Sequence, residues 1–81
     1  MIHPTIHRNG THPVTLREDW SRVIVAAIAL RSALANAAPN GRDYYVQDAT
    51  ALVRAEDEHL ARVWAVDRII SDMEELIERT L

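Results

Sequence analysis

Two long stripes of apolar residues, each with the 3.6-residue period of an α-helix, constrain the fold of this chain most strongly. In the first half the stripe advances in alternating steps of four and three through Leu16, Trp20, Val23, Ala27, Leu30 and Leu34. In the second half it runs through Leu52, Glu56, His59, Val63, Val66, Ile70, Met73 and Ile77. Trp64 and Leu81 flank the second stripe, and Trp64 is expected to fill the core. The two stripes predict an all-α antiparallel helical hairpin.

The limits of the predicted elements follow from capping and breaking residues. Residues 1–14 show no period and predict an irregular N-terminal arm. Thr15 and Glu18 have the spacing of a capping box, which predicts that the first helix begins there. The residue before Pro39 is disfavoured in the α region, so the helix should end at that point. The prediction is therefore an arm over 1–14 and a hairpin over 15–81, with helices over 15–38 and 48–80 and a connection over 39–47.

The two predicted helices differ in length, which has consequences for assembly. The second helix would be about 50 Å long and the first about 33 Å. In an antiparallel hairpin Thr15 would then lie opposite Ile69. Residues 71–81, with their apolar side chains Met73, Ile77 and Leu81, would then project past the first helix and need cover from the N-terminal arm or from a second chain. The second chain is favoured, because the arm has few apolar residues. The middle of the first helix, "VIVAAIAL" over 23–30, is apolar around much of its circumference. A single chain of 81 residues buries little core, so we expect self-association into a helical-bundle oligomer.

Composition excludes several classes of function. The sequence has no cysteine, and so carries no disulfide framework, thiolate zinc site or cysteine nucleophile. Its formal net charge of −3 argues against sequence-independent binding to duplex DNA. The longest apolar run is too short to span a membrane, and the first residues lack the apolar segment of a secretion signal. These features predict a cytoplasmic protein without a membrane partner, in the host cytoplasm if phage-encoded.

Histidines raise the questions of catalysis and metal binding. Glu56 and His59 interrupt the second stripe one turn apart, where they could fix the register between helices or do acid–base work. No nucleophile or third orienting group accompanies them in the sequence, which favours the structural role and predicts that the protein is not an enzyme. His3, His7 and His12 lie in a broken arm without carboxylates nearby. Neither a metal site nor a cofactor is therefore predicted.

Two glycine-containing loops carry residues suited to a nucleotide. Backbone N–H groups and arginine bind phosphate, while aromatic faces and amide or carboxylate groups orient a base or sugar. The candidate ligand-binding residues are Asn9, Gly10 and Thr11 in the arm, with Asn40, Arg42, Asp43, Tyr44 and Tyr45 in the connection. A plain turn, with the tyrosines capping the hairpin and Arg42 and Asp43 in local ion pairs, explains the connection too. The two loops lie at opposite ends of a hairpin, so they share a site only if the arm folds back or two chains meet head to tail.

Three short blocks carry a resemblance to a protein family. They are "HRNGT" at 7–11, "PNGRDYY" at 39–45, and an EH–R pattern at Glu58, His59 and Arg62. Together they resemble a family of small phage and prophage proteins with an H-x-NGT arm, an NGRDYY connection and two long helices. The family often has a proline where Val46 stands here, and its absence predicts an early start of the second helix. The size and hairpin arrangement are also similar to phage helical oligomers that sequester cyclic nucleotides or ADP-ribose-type signals. The resemblance implies a phage accessory role.

Two hypotheses of function follow. In the first, the protein is an anti-defence accessory that binds a phosphate-bearing nucleotide signal and sequesters it without chemistry. In the second, it is a protein-binding inhibitor or adaptor, anti-CRISPR-like or a modulator of a host regulator. That host protein would meet an acidic face of the second helix formed by Asp67, Asp72, Glu74, Glu75 and Glu78.

Overall fold

A computed structural model describes residues 1–80, and it confirms the all-α fold. Within those residues the chain forms helix α1 (Pro13–Asn36), a short 3-10 turn (Gly41–Asp43) and helix α2 (Ala51–Arg79), with no strand. The two helices pack against each other as an antiparallel hairpin. The hairpin is 61 Å long, and its two shorter dimensions are 21 and 17 Å. Leu81 lies outside the described residues.

Helix α1 begins two residues before the predicted start. Its N-cap is His12, whose Nδ1 accepts a hydrogen bond from the backbone N–H of Val14 at 3.2 Å. Pro13 follows at the first helical position, where its fixed φ suits the helix and its missing N–H costs nothing. Thr15, the residue expected to cap the helix, therefore lies inside its first turn. The reason is that the pair His12–Pro13 already satisfies the requirements of a helix start.

Helix α2 begins at Ala51, three residues later than predicted. The Asp48 carboxylate accepts hydrogen bonds from the backbone N–H of Thr50 at 2.9 Å and from its hydroxyl at 2.6 Å. This side-chain capture holds residues 48–50 in a turn that competes with helix. The early start expected from Val46 is thus wrong. At the other end of the connection α1 stops at Asn36, because Ala37 already leaves the α region before Pro39.

The register of the hairpin corrects the predicted overhang. Arg17 Nη1 donates to the backbone oxygen of Thr80 at 2.9 Å. Farther along, Arg31 Nε lies 3.1 Å from Asp67 Oδ1. The end of α2 is therefore level with the start of α1, and residues 71–80 do not project. The overhang is at the opposite end, where the first turns of α2 extend roughly 12 Å past α1 and pack beside the connection.

The core between the helices is thin. Among the described residues, four apolar side chains are buried: Ala27, Ala51, Val66 and Leu76. Trp64 does not fill this core, because 62% of its surface is exposed on the outer side of α2. On α1, Val25 is 68% exposed and Ile28 also faces solvent. The single chain thus leaves much of its apolar surface uncovered.

Removing the His12 cap should destabilise the helix start. We expect His12→Ala to lower the free energy of unfolding by about 1 kcal/mol, because the first N–H groups lose their side-chain acceptor. His12→Asp should restore the loss, since aspartate is a favoured N-cap and its charge suits a helix N-terminus. Urea unfolding followed by circular dichroism measures both. Equal stability of His12→Ala and the wild type would contradict the capping role.

Candidate binding cleft beside the connection

A cavity with a polar lining lies where the connection packs against the overhanging turns of α2. Its volume is about 380 Å³, which lies in the range of small-ligand sites. The residues that line it are Ala37, Pro39, Tyr44, Gln47, Ala51, Arg54, Ala55, Glu58, His59 and Arg62. Two arginines, a histidine, a tyrosine, a glutamine and a glutamate thus line one space.

The connection is shaped by its own backbone and by α2. Asn40 caps the 3-10 turn, since its Oδ1 accepts from the backbone N–H of Arg42 at 3.1 Å. Gly41 lies against α2, and a Cβ built on it would be 3.6 Å from Leu52 Cδ2. This packing places Tyr44 half-buried in the cleft wall and leaves Tyr45 exposed. The two tyrosines therefore have different environments.

His59 joins α2 to the end of α1. Its Nε2 lies 2.7 Å from the backbone oxygen of Leu34. A carbonyl oxygen only accepts hydrogen bonds, so Nε2 must carry the proton. The predicted register-fixing role of His59 matches this contact, but the partner is a backbone carbonyl, and Glu56 is exposed to solvent instead.

Each of the two arginines that line the cleft pairs with an acidic residue, which lies either on α2 or in the turn before α2. Arg54 Nη2 lies 3.0 Å from Asp48 Oδ2, and Arg62 Nη2 lies 3.8 Å from Glu58 Oε2. The contact of Arg62 is long and partly exposed, so it is weak. A phosphate could therefore take Arg62 from Glu58 at little cost.

The carboxylate of Asp48 contacts both the turn before α2 and an arginine that lines the cleft. Hydrogen bonds from the Thr50 hydroxyl and backbone N–H, helped by Arg54, hold the pKa of Asp48 below its ordinary value of 3.8. A lowered pKa in the folded state means stabilisation that is present above the ordinary pKa and is lost as the pH falls through the lowered value.

The pH dependence of stability should reveal this carboxylate. We expect the melting temperature of the wild type to fall more steeply than that of Asp48→Asn as the pH drops below about 4. Thermal melts by circular dichroism from pH 7 to pH 2 measure the difference, with Asp57→Asn as the matched control on α2. Parallel curves for wild type and Asp48→Asn would show that the turn does not depend on the charge.

The arm motif lies at the other end of the hairpin. Gly10 forms a turn with His7, whose backbone oxygen accepts the Gly10 N–H at 3.1 Å. A Cβ at Gly10 would lie 2.9 Å from His7 Nε2, so the His7 side chain packs closely over this turn. His3 Nε2 then lies 3.3 Å from Glu75 Oε2, which fastens the arm to the end of α2. The arm folds back, yet not far enough to reach the connection.

The structure thus brings together part of the predicted site. Of the eight candidate residues, Tyr44 lines the cleft. The other connection residues, Asn40, Arg42, Asp43 and Tyr45, are exposed beside it, while Asn9, Gly10 and Thr11 lie at the far end. Arg54, Gln47 and Arg62 also line the cleft, although none of the three was a predicted ligand-binding residue.

Residues 1–80 contain no group of three or more histidine or acidic side chains arranged to hold a metal ion. In the same residues, neither helix combines the length and the apolarity needed to cross a membrane. The chain matches no known protein family, no curated protein and no solved structure.

Proposed function

We propose that this protein is a phage-type accessory protein that self-associates and binds a phosphate-bearing nucleotide signal, which it sequesters without transforming it. The observation that carries the proposal is the convergence of two sequence blocks on one cleft. Pro39 and Tyr44 come from the "PNGRDYY" block, and Glu58, His59 and Arg62 come from the EH–R block. These are two of the three blocks on which the resemblance to phage proteins rests.

The cleft offers the contacts that a nucleotide needs. Arg54 and Arg62 stand two turns apart on one face of α2, where their guanidinium groups can reach separate phosphate oxygens. Tyr44 supplies an aromatic face for a base, and the amide of Gln47 can both donate to and accept from a base edge. The N-terminal end of α2 also borders the cleft at Ala51, and its positive dipole favours an anion.

The same geometry favours binding over catalysis. His59 is the natural acid or base of the cleft, but it donates Nε2–H to the Leu34 carbonyl and is thereby fixed in place. Glu58 Oε2 lies 3.8 Å from Arg62 Nη2, so this carboxylate is paired with a cation of the cleft. The residues of the cleft thus bind and orient a ligand and do not form a nucleophile with its base.

Binding of nucleotides by matched arginine variants tests the proposal. We expect Arg62→Ala to weaken the affinity for a bound nucleotide roughly 10-fold to 100-fold, because a charge-assisted hydrogen bond is lost. Arg68→Ala is the control, since it removes the same charge from α2 six residues away and outside the cleft. Isothermal titration with a panel of cyclic dinucleotides, ADP-ribose and ATP measures the affinities. Native mass spectrometry of the protein purified from bacteria identifies any nucleotide that copurifies.

Arg42→Ala separates two versions of the site. If the exposed connection binds the phosphate, as the sequence predicts, Arg42→Ala abolishes binding while helicity and oligomer size stay unchanged. If the cleft binds it, Arg62→Ala has the larger effect. Failure of every nucleotide in the panel to bind, with nothing released from the purified protein by heat, would contradict the proposed function.

A protein partner is the second candidate, and the exposed Trp64 favours it. Exposed tryptophan is unusual on a free surface and is a common anchor of protein interfaces. The predicted acidic face on the same helix is partly engaged, because Asp67 pairs with Arg31 and Glu75 contacts His3. A salt-sensitive complex with one host protein, abolished by Trp64→Ala and formed without any small molecule, would support this function over the first.

A further inference from the structure

The single chain exposes more surface than a compact monomer of its mass. Its accessible area is 6266 Å², whereas a folded monomer of 9.2 kDa is expected to expose about 4,900 Å². The excess of roughly 1,300 Å² exceeds the 800 Å² or so that each partner buries in a standard interface. The radius of gyration of 18.2 Å likewise exceeds the roughly 12 Å of a compact chain of this length. A second copy that covers one side of the hairpin would restore the usual balance.

The outer face of α1 is the surface best suited to that copy. A shallow groove there is lined by Ser21, Arg22, Val25, Ala26 and Ala29. Small side chains let two helix backbones approach closely. From residue 23 to residue 30 no charged residue interrupts the helix, which suits the core of an interface.

The outer face of α2 is less suited to close packing. Its exposed apolar residues, Val53, Leu60 and Trp64, alternate with the charged residues Asp57 and Arg68 around the same side of the helix. Burial of that face would remove these charges from water, which is costly unless each finds a partner. The α1 groove also has a charged residue in its lining, Arg22, but that residue already pairs with Asp19 at 2.8 Å. The α1 face is therefore the better candidate.

We propose that a second copy of the chain packs antiparallel against the outer face of α1, with a two-fold axis near Val25. Val25 is the centre of the groove, and residues 21 and 29 then lie opposite each other across the axis. Each copy presents the same groove to the other, as a two-fold interface requires. The interface is inferred from the surface of the free chain alone, and its formation requires no ligand.

This arrangement brings the two separated motifs together. With the axis at residue 25, the residue numbers of facing positions add up to 50. The partner's Pro13 then lies level with Ala37, and the partner's Thr11 lies level with Pro39. The "NGT" turn of one copy therefore comes alongside the "NGRDYY" connection of the other. In this respect the inference rests on the proposed function, because it makes the partner's arm part of the same nucleotide site.

The shape of the hairpin leaves room for the partner's arm. Beyond the end of α1, the first turns of α2 and the connection continue for roughly 12 Å. The partner's arm reaches this extension on the side that continues the outer face of α1. Two such composite sites form, one at each end of the dimer.

Single cysteine variants test the interface cleanly, because the sequence has no other cysteine. A residue at a two-fold axis faces its own copy, so Val25→Cys should form a disulfide-linked dimer in high yield under mild oxidation. Val53→Cys, similarly exposed on α2, is the matched control and should stay largely unlinked. Both positions are exposed, so neither substitution threatens the fold. A monomer in sedimentation velocity at micromolar concentration, or linkage of Val53→Cys in preference to Val25→Cys, would overturn the proposal.

A mixture of Thr11→Cys and Asn40→Cys chains tests the composite site. A short bismaleimide should link one chain of each kind, and the mixed product should exceed either self-linked product. If self-linked Thr11→Cys dimers were as abundant as the mixed product, the packing would be parallel, and the antiparallel arrangement would be overturned. Neither crosslinking measurement contains a nucleotide, so a failure here is distinct from a failure of the nucleotide panel. If the dimer forms as proposed while no nucleotide binds, the interface stands and the proposed function falls.

Discussion

Leu76→Ala is expected to lower the free energy of unfolding by about 3 kcal/mol and the melting temperature by roughly 15 °C. Leu76 is 9% exposed and belongs to the small set of buried apolar side chains. It lies one turn before Thr80, whose backbone oxygen accepts from Arg17, so it sits where both helices end together. A chain of this size has a stability of about 4 to 12 kcal/mol, and the loss of one core leucine therefore removes a large share of it.

Leu60→Ala is the matched control for Leu76→Ala. It makes the same substitution in the same helix at a residue that is 43% exposed. The expected loss is below about 1 kcal/mol, since less apolar surface returns to water. Urea unfolding at two protein concentrations measures both variants and separates folding from association. A larger loss for Leu60→Ala than for Leu76→Ala would mean that the outer face of α2 is buried in the assembly and contributes more than the hairpin core.

The sequence was sufficient to predict the two helices but not their register. Periodicity located α1 and α2 to within about three residues, which is the accuracy that such patterns allow. The start of α2 depends on one side chain, Asp48, which holds Thr50 out of the helix. Since Asp48 also continues the helical pattern of α2, periodicity alone assigned it to the helix. The predicted register assumed that the connection crosses directly from the end of α1 to the start of α2. The connection instead runs beside the first turns of α2, and this places the overhang at the opposite end.

The candidate site was predicted in part for a related reason. Loop chemistry pointed to the connection, and Tyr44 does line the cleft. Arg54 and Arg62 were not among the predicted ligand-binding residues, although their spacing of four residues from Glu58 places all three in one row. That row becomes a cleft wall because the connection packs beside it. A search for charged rows next to the connection would have found these residues.

Trp64 shows a limit of stripe-based core prediction. A flank position of a helical stripe is buried when neighbours surround the helix on several sides, as in a bundle. A hairpin supplies one neighbour, so the flank positions of both helices stay open, and Trp64, Val25 and Ile28 are exposed together. The apolar stripes are therefore wider than the hairpin core needs, and their remaining apolar surface indicates assembly with further helices.

Ala27→Leu should destabilise the hairpin by about 2 kcal/mol, because Ala27 lies between the helices at 8% exposure and a larger side chain forces them apart. It is level with Ile70 and lies between the contacts that Arg17 and Arg31 make with α2, so the added volume cannot be relieved at either end. Ala35→Leu, on the same helix at an exposed position, should be neutral within about 0.5 kcal/mol. Thermal and urea unfolding measure the two variants side by side. Equal or greater stability of Ala27→Leu would mean that the helices are farther apart than the structure places them, with space at their centre for a larger core.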